Sequence, residues 1–329
     1  MPQLQAPLGI RGMRLRNRIV MLPMYPFSFH GDDGGFFGAM HRDHYIRRAE
    51  GGAGLVIAQA VNVLGVLDGT GTWSKGDRKF LADIAAGCRR EGAAAMLQLA
   101  AGDFEIHDLD AADIARIQRS LEAAAAAARD LGFDGVEFHF AHGYTLCKFL
   151  DAGYNTRTDA FGGDLENRAR ILVDLLPRIR DRVGEQFVLA VRMGVDMPAA
   201  NDGEAAAAYL ARSGIDLLDI SFGLRKPAAR DMPESFPGSP VVWSGVKIQR
   251  LAGVPTIVGN GVLTGELART LAEDHGAELI GIGRSMFTDP DFALRAVGGS
   301  AVNACRDCPD CRWFTDHTRC PGLATRLSG

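Results

Sequence analysis

The sequence predicts an α/β fold, a (β/α)8 TIM barrel with a short cysteine-rich C-terminal extension. Short apolar runs alternate with longer helical stretches along all 329 residues, the pattern of a parallel sheet with crossover helices. About eight such units are present, and that number closes a barrel. Polar residues and glycines collect where the apolar runs end, the side of such a barrel that carries its site. A doubly wound dinucleotide fold competes with this reading, but no G-x-G-x-x-G follows an early strand.

Strands are expected at 18–22, 54–60, 94–99, 135–139, 188–193, 217–221, 256–259 and 279–283, each an apolar run of strand length. Helices are expected between them at 41–50, 79–91, 112–131, 167–183, 203–212, 247–251 and 265–274. The third contains an alanine run, 123–128, a strong helix former. The strand ends bring together Pro23 and Met24, Ala60, Gln98, His139, Arg192, Gly259, and Gly283 with Arg284. The barrel is expected over 1–300 and the tail over 301–329.

Composition bounds the partners. Hydrophobic residues make up 47% of the chain, enough for a large core, and the net charge of −4 offers no footprint for nucleic acid or an anionic membrane. No apolar run approaches the roughly 20 residues that span a bilayer, and the N-terminus lacks the apolar stretch of a secretory signal. A cytoplasmic location is the default expectation, and a homo-oligomer is compatible with this composition.

The most informative stretch runs from 131 to 170. A buried strand leads into His139-Phe140-Ala141-His142-Gly143-Tyr144. Two imidazoles and a phenol, all able to donate hydrogen bonds, thus sit where a strand gives way to a loop and could face one pocket. Asn155, Arg157, Asp159, Gly162, Gly163, Asn167 and Arg168 follow, too polar and Gly-rich for a core. This stretch resembles the Old Yellow Enzyme family of FMN-dependent ene-reductases, and within it the branch containing 2,4-dienoyl-CoA reductase and trimethylamine dehydrogenase. The family pattern E-x-H-x-x-[HN]-G-Y-L, then N-x-R-x-D-x-[FY]-G-G-x-x-x-N-R, is met by Glu137, His139, His142, Gly143 and Tyr144 and by the whole second half.

The resemblance extends along the chain. Residues 17–24 follow the family's N-R-[IV]-x-x-x-P-M, which implies that backbone at Pro23 and Met24 lies along the flavin. Tyr25 departs from the usual Thr or Cys, and packing at the barrel mouth is as good a reading of it. Ala60 would back the flavin ring. Gln98 matches the glutamine that hydrogen-bonds the flavin pyrimidine; a buried strand glutamine needs a partner in any case, the other reading being a solvated amide. Arg192 matches the arginine near flavin N1, where a fixed positive charge stabilises the reduced cofactor, against the alternative of a surface salt bridge. Gly259, Asn260 and Gly261, then Gly283 and Arg284, lead toward helices at the last two strands. Glycines let backbone approach a phosphate there, and barrels often hold phosphate at these loops.

After Gln98 the chain lacks the several dozen residues that relatives insert to cover the mouth. That absence predicts a more open site, or a place for another polypeptide. Cys305, Cys308, Cys311 and Cys320 have the spacing C-x2-C-x2-C-x8-C. Such density in a cytosolic chain points to metal rather than disulfides. A [4Fe-4S] cluster, as the branch carries with a longer final gap, Zn2+, and no metal are the readings. Cys88 and Cys147 fall in helical stretches as small core residues.

Taken together, the resemblance implies an FMN-dependent oxidoreductase that reduces a C=C bond conjugated to a carbonyl. His139 and His142 would hold the substrate oxygen and Tyr144 would supply a proton. A structural histidine pair, or an H-x-x-H metal site, is the competing reading of the imidazoles. Relatives with the cluster often carry further FAD and NAD(P)H domains, for which 329 residues leave no room; electrons would come from a donor protein through the cluster, or from NAD(P)H directly. Amine oxidation on the same flavin, and a non-catalytic electron-transfer subunit, are the alternatives.

Overall fold

The computed structural model describes residues 3–195, 200–226 and 231–323. The chain opens with an antiparallel hairpin of β1 (Leu8–Ile10) and β2 (Met13–Leu15). Arg11, at φ 47°, makes its tight turn. Ile10, Met13 and Leu15 are buried in one cluster with Val20, Leu55, Ala94, Val188, Leu217 and Leu279, residues at the starts of the barrel strands. The hairpin therefore stoppers the N-terminal end of the barrel. Runs of three residues are too short to show a period, which is why the sequence does not reveal it.

Among the described residues eight strands close a parallel barrel. They are β3 (Ile19–Met21), β4 (Leu55–Asn62), β5 (Ala94–Ala100), β6 (Gly135–Phe140), β7 (Val188–Gly194), β8 (Leu217–Ser221), β9 (Thr256–Val258) and β10 (Leu279–Ile282). Each pairs with its sequence neighbour, and β10 pairs with β3. Every expected strand is present to within a few residues. The crossover helices are α1 (Ala39–Glu50), α2 (Lys75–Arg90), α3 (Ala111–Asp130), α4 (Thr145–Leu150), α5 (Leu165–Val173), α6 (Leu176–Val183), α7 (Ala200–Arg212), α8 (Pro240–Ala252), α9 (Gly265–Glu273), α10 (Arg284–Thr288) and α11 (Phe292–Gly298). Ser74, Asp110, Asp164, Ser239 and Thr264 cap α2, α3, α5, α8 and α9, each accepting a backbone N–H of the first turn. None of the described helices is long and apolar enough to cross a membrane.

Two expected helices need correction, and of these 247–251 is only the last part of α8, which begins at Pro240 behind its Ser239 cap. The stretch 167–183 is two helices, α5 and α6, because Pro177 lies in the first turn of the second. Proline has no N–H to continue a helix but is tolerated at its start. Cys88 and Cys147 are buried, as expected, in α2 and α4.

The barrel interior is layered. Its lower half is apolar, with Leu22, Ile57, Met96, Ala190 and Ile257 packed above the hairpin. One step further along, the same inward faces turn polar. Gln98 stands level with Glu137, and Arg192 with both His139 and Asp219. On the opposite wall β9 and β10 continue into Gly259 and Gly283. A Cβ on Gly259 would lie 3.0 Å from Leu22 Cδ1, and one on Gly283 3.2 Å from Met24 Sδ. One half of the barrel's upper end thus carries charge, while in the other β9 and β10 end in glycines beside Leu22 and Met24.

Candidate active site

The polar layer forms one connected chain. His139, at the end of β6, is nearly buried, and its Nε2 lies 3.0 Å from His142 Nδ1. His142 Nε2 in turn lies 2.8 Å from Ser221 Oγ at the end of β8. Arg192 Nη2 reaches the same hydroxyl at 3.5 Å, and Arg192 Nε pairs with Asp219 Oδ2 at 3.3 Å. Glu137 stands within hydrogen-bonding reach of Asp219 and accepts a bond from Gln98 Nε2 at 2.7 Å.

The backbone explains how His142 joins this chain. It is left-handed, at φ 62°, and Gly143 follows at φ 79°. Two such residues in succession fold the loop back over the strand end, and histidine tolerates the region better than most residues. His142 N–H donates to Phe222 O at 3.0 Å, and the two rings stand 4.5 Å apart, which ties the loop to β8. Tyr144 then caps α4 with its ring 5.2 Å from that of His139 and 41% exposed. The three residues singled out by the motif are therefore together, with the phenol outermost.

Electrostatics fixes the protonation of the imidazoles. Burial, reinforced by the Arg192 charge, lowers His139 to about 3 and His142 to about 2. Both rings are neutral at physiological pH, so each holds one N–H to donate and one lone pair. The carboxyls shift the other way. Burial and the neighbouring Asp219 hold Glu137 well above the usual range, and burial lifts Asp219 to about 6 against the pull of Arg192.

The expected flavin contacts divide between two walls. Gln98 and Arg192 lie in the polar half, and Arg192 Nε and His139 Nδ1 are buried without a hydrogen-bond partner. Ala60 lies in β4, beside a register shift between Ala58 and Val61, and Pro23 and Met24 follow β3. Asn260 and Gly261 are left-handed, at φ 82° and 91°, and the space before Gly261 is open. A charged wall with nitrogens that make no hydrogen bond, facing a wall of glycines, fits a flat ligand with an anionic arm. Arg284 is placed differently: its side chain pairs with Asp307 and lines the cysteine cavity, which leaves the backbone of Gly283 and Arg284 to face a phosphate.

The short loop after β5 is stitched to α4. Lys148, nearly buried, bonds Asp103 Oδ1 and Glu105 Oε1 at 2.8 Å each and Phe104 O at 3.1 Å. Thr145 Oγ1 donates to Gly102 O and accepts from Phe104 N.

Cys305, Cys308, Cys311 and Cys320 line one cavity with Phe287, Trp313 and Arg284. None is disulfide-bonded. Among the described residues no group of three or more His, Cys, Asp or Glu side chains is placed to hold a metal ion. The tail is nonetheless anchored. Trp313 stacks on Phe287 at 4.1 Å, Asn303 N–H donates to Asp289, and Ser28 N–H donates to Trp313 O. Tyr25, Phe27 and Phe314 continue the contact at the surface, with ring spacings of 4.5 and 5.0 Å.

Sequence reasoning missed Asp219 and Ser221. Their alternation on β8 places both on the inward face, but only the closed barrel brings that face against β6 and β7.

Comparison with known proteins gives the chain a family. The profile of the NADH:flavin oxidoreductase / NADH oxidase family matches residues 3–107 and 102–303. An NADPH dehydrogenase of Bacillus subtilis (strain 168) is 31% identical, over 90% of this chain and 94% of the relative. An old yellow enzyme homologue from Zymomonas mobilis superposes with a TM-score of 0.74 at 23% identity, covering 97% of this chain and 99% of that one. A 2-naphthoyl-CoA reductase bound to 2-naphthoyl-CoA superposes with a TM-score of 0.79 at 20% identity, over 95% of this chain and 56% of that one. At these identities the two structures show a shared fold.

Proposed function

The chain belongs to the NADH:flavin oxidoreductase / NADH oxidase family, an FMN-dependent oxidoreductase of Old Yellow Enzyme type, and from that premise we propose that it reduces a C=C bond conjugated to a carbonyl. The observation that carries this reading is the pair of neutral, mutually bonded imidazoles beside an exposed phenol.

Gln98, Arg192, Ala60 and the backbone at 23–24, 259–261 and 283–284 would hold the FMN. Bound FMN supplies the hydride equivalent, replenished by NAD(P)H or a donor protein. The mutual bond of His139 and His142 holds one N–H, which would turn to the substrate carbonyl oxygen; the other imidazole would join it as a donor once its own proton sits on the nitrogen that had accepted. Neutral donors suit this task, because they stabilise developing negative charge without a proton being lost to the oxygen. Ser221 keeps the His142 ring in place by occupying its other nitrogen. Tyr144, outermost of the three, holds the proton destined for the α-carbon.

The tail supports a second element of the proposal, a [4Fe-4S] relay. Cys305, Cys308, Cys311 and Cys320 are free thiols that line one cavity, and their C-x2-C-x2-C spacing with a more distant fourth thiol suits a cubane's four irons. When bound, the cluster would pass single electrons between a donor protein and the barrel.

The test is anaerobic. Photoreduced protein mixed with 2-cyclohexenone is expected to reoxidise and yield one equivalent of saturated ketone. Reoxidation by oxygen but by no enone would defeat the assignment.

A further inference from the structure

The carboxyls beneath Arg192 pose a charge problem. Gln98 on β5, Glu137 and His139 on β6, Arg192 on β7, Asp219 and Ser221 on β8, and His142 from the loop after β6 make up the polar layer. β3, β4, β9 and β10 bring no acid or base to it. The two imidazoles are neutral, so the layer holds one fixed cation and two carboxyls. Glu137 and Asp219 are both 0% exposed. Two carboxylates in one buried site with one guanidinium would leave an uncompensated charge, which proteins avoid by protonation.

Hydrogen bonding leads to the same place. Glu137 Oε1 is satisfied by Gln98, but Glu137 Oε2 and both oxygens of Asp219 make no hydrogen bond, Asp219 Oδ2 having only its ion pair with Arg192 Nε at 3.3 Å. Carboxyl oxygens within bonding reach of each other satisfy one another only through a proton. Asp219 lies against Arg192 and is the natural anion; Glu137, bonded by a neutral amide, is the natural acid. The layer is then neutral as a whole.

Resting on the FMN assignment, we infer that Glu137 and Asp219 share one proton beneath Arg192, and that Asp219 takes up a second when the flavin bound above Arg192 gains the negative charge of its reduced form. The balance is simple. Two electrons and one proton enter the flavin, leaving it anionic; one further proton enters the carboxyl pair from solvent, and the guanidinium passes from the carboxylate to the flavin as its counter-charge. Asp219 is thus a positioning residue. In the oxidised protein it restrains the Arg192 charge, and in the reduced protein it releases it. Burial alone lifts Asp219 to about 6, within reach of such a shift.

The experiment follows the two-electron midpoint potential of the flavin against pH in the purified holoprotein, near neutrality. Wild type is expected to show a slope of about two protons per electron pair, following the linkage relation. The double variant Glu137→Gln/Asp219→Asn, isosteric and without an acid, is expected to show about one, the flavin's own. A wild-type slope of one proton overturns the inference. So does a slope that stays at two in the double variant, which assigns the second proton elsewhere, the imidazoles included. Should the double variant not retain flavin, wild type decides alone: its redox difference infrared spectrum gains a protonated-carboxyl band on reduction, and the absence of that band overturns the inference. A protein that releases no FMN on denaturation fails at the earlier step, the cofactor assignment.

Discussion

His142 Nε2 lies 2.8 Å from Ser221 Oγ, across a gap of 79 positions in the chain. The contact binds the loop after β6 to the end of β8 and makes the hydroxyl the fixed point of the imidazole pair. Ser221 is 1% exposed, so no solvent competes for this bond. Ser221→Ala should free the His142 ring to rotate. A hydrogen bond of this kind contributes about 1 kcal/mol, so kcat/KM for an enone should fall by roughly five- to tenfold, with flavin content and melting temperature little changed. Stopped-flow kinetics of the oxidative half-reaction check it.

Tyr144→Phe separates proton supply from substrate binding. The phenol is exposed and contacts His139 through its ring, so the variant should fold and bind flavin normally. Reduction by NAD(P)H should be near that of wild type, while turnover of an enone falls by roughly 10²–10⁴-fold, as for loss of an acid catalyst. Unchanged turnover across pH would remove Tyr144 from the mechanism.

The cysteine tail makes a compositional prediction. Anaerobically purified protein should hold about four iron and four sulfide per chain. Cys308→Ser should lose both, with the broad visible absorbance, and the tail should become sensitive to protease as its ligand is lost. Stoichiometric zinc without sulfide would leave the barrel chemistry intact and end the relay.

Acid should destabilise the fold through four imidazoles. Burial lowers His41 to about 4, His44 well below its ordinary value, His139 to about 3 and His142 to about 2. The unfolded chain binds these protons at the ordinary value of 6.5. Their contribution is therefore full above 6.5 and is lost as pH falls toward the folded values, by on the order of 3 kcal/mol for His41 once pH passes about 4. Glu137 and Asp219 have the opposite sign: both are raised in the fold and stabilise at low pH, and Asp219 loses that contribution as pH rises from its ordinary 3.8 through about 6. Four groups outweigh two, so urea midpoints should drop between pH 6.5 and 4, and His41→Phe should flatten the drop.

The barrel was legible in the sequence because each strand is an apolar run long enough to see and each is followed by a helix. The first hairpin was not, since β1 and β2 are three residues each. The break before α6 was available from Pro177 and passed over. His139, His142 and Tyr144 are adjacent in sequence and reveal themselves as a motif. What the motif could not reveal is that His142 bends back at φ 62° to meet His139 and Ser221. Nor could it reveal that Asp219 faces Glu137 from two strands away. Pairings across a closed sheet depend on register, and register has no local signal.

The loop after β5 has a practical side. Residues 101–110 run from β5 to the start of α3, and Lys148 and Thr145 tether the first half of them from α4 without involving the barrel strands. Extra length at such a place adds little to the cost of closing a loop, about 0.6 kcal/mol for each doubling. Segments spliced after Asp108, beyond the Lys148 contacts to Asp103, Phe104 and Glu105, would leave the tether standing. For anyone wishing to retune which molecules this scaffold accepts, that is the seam to open first.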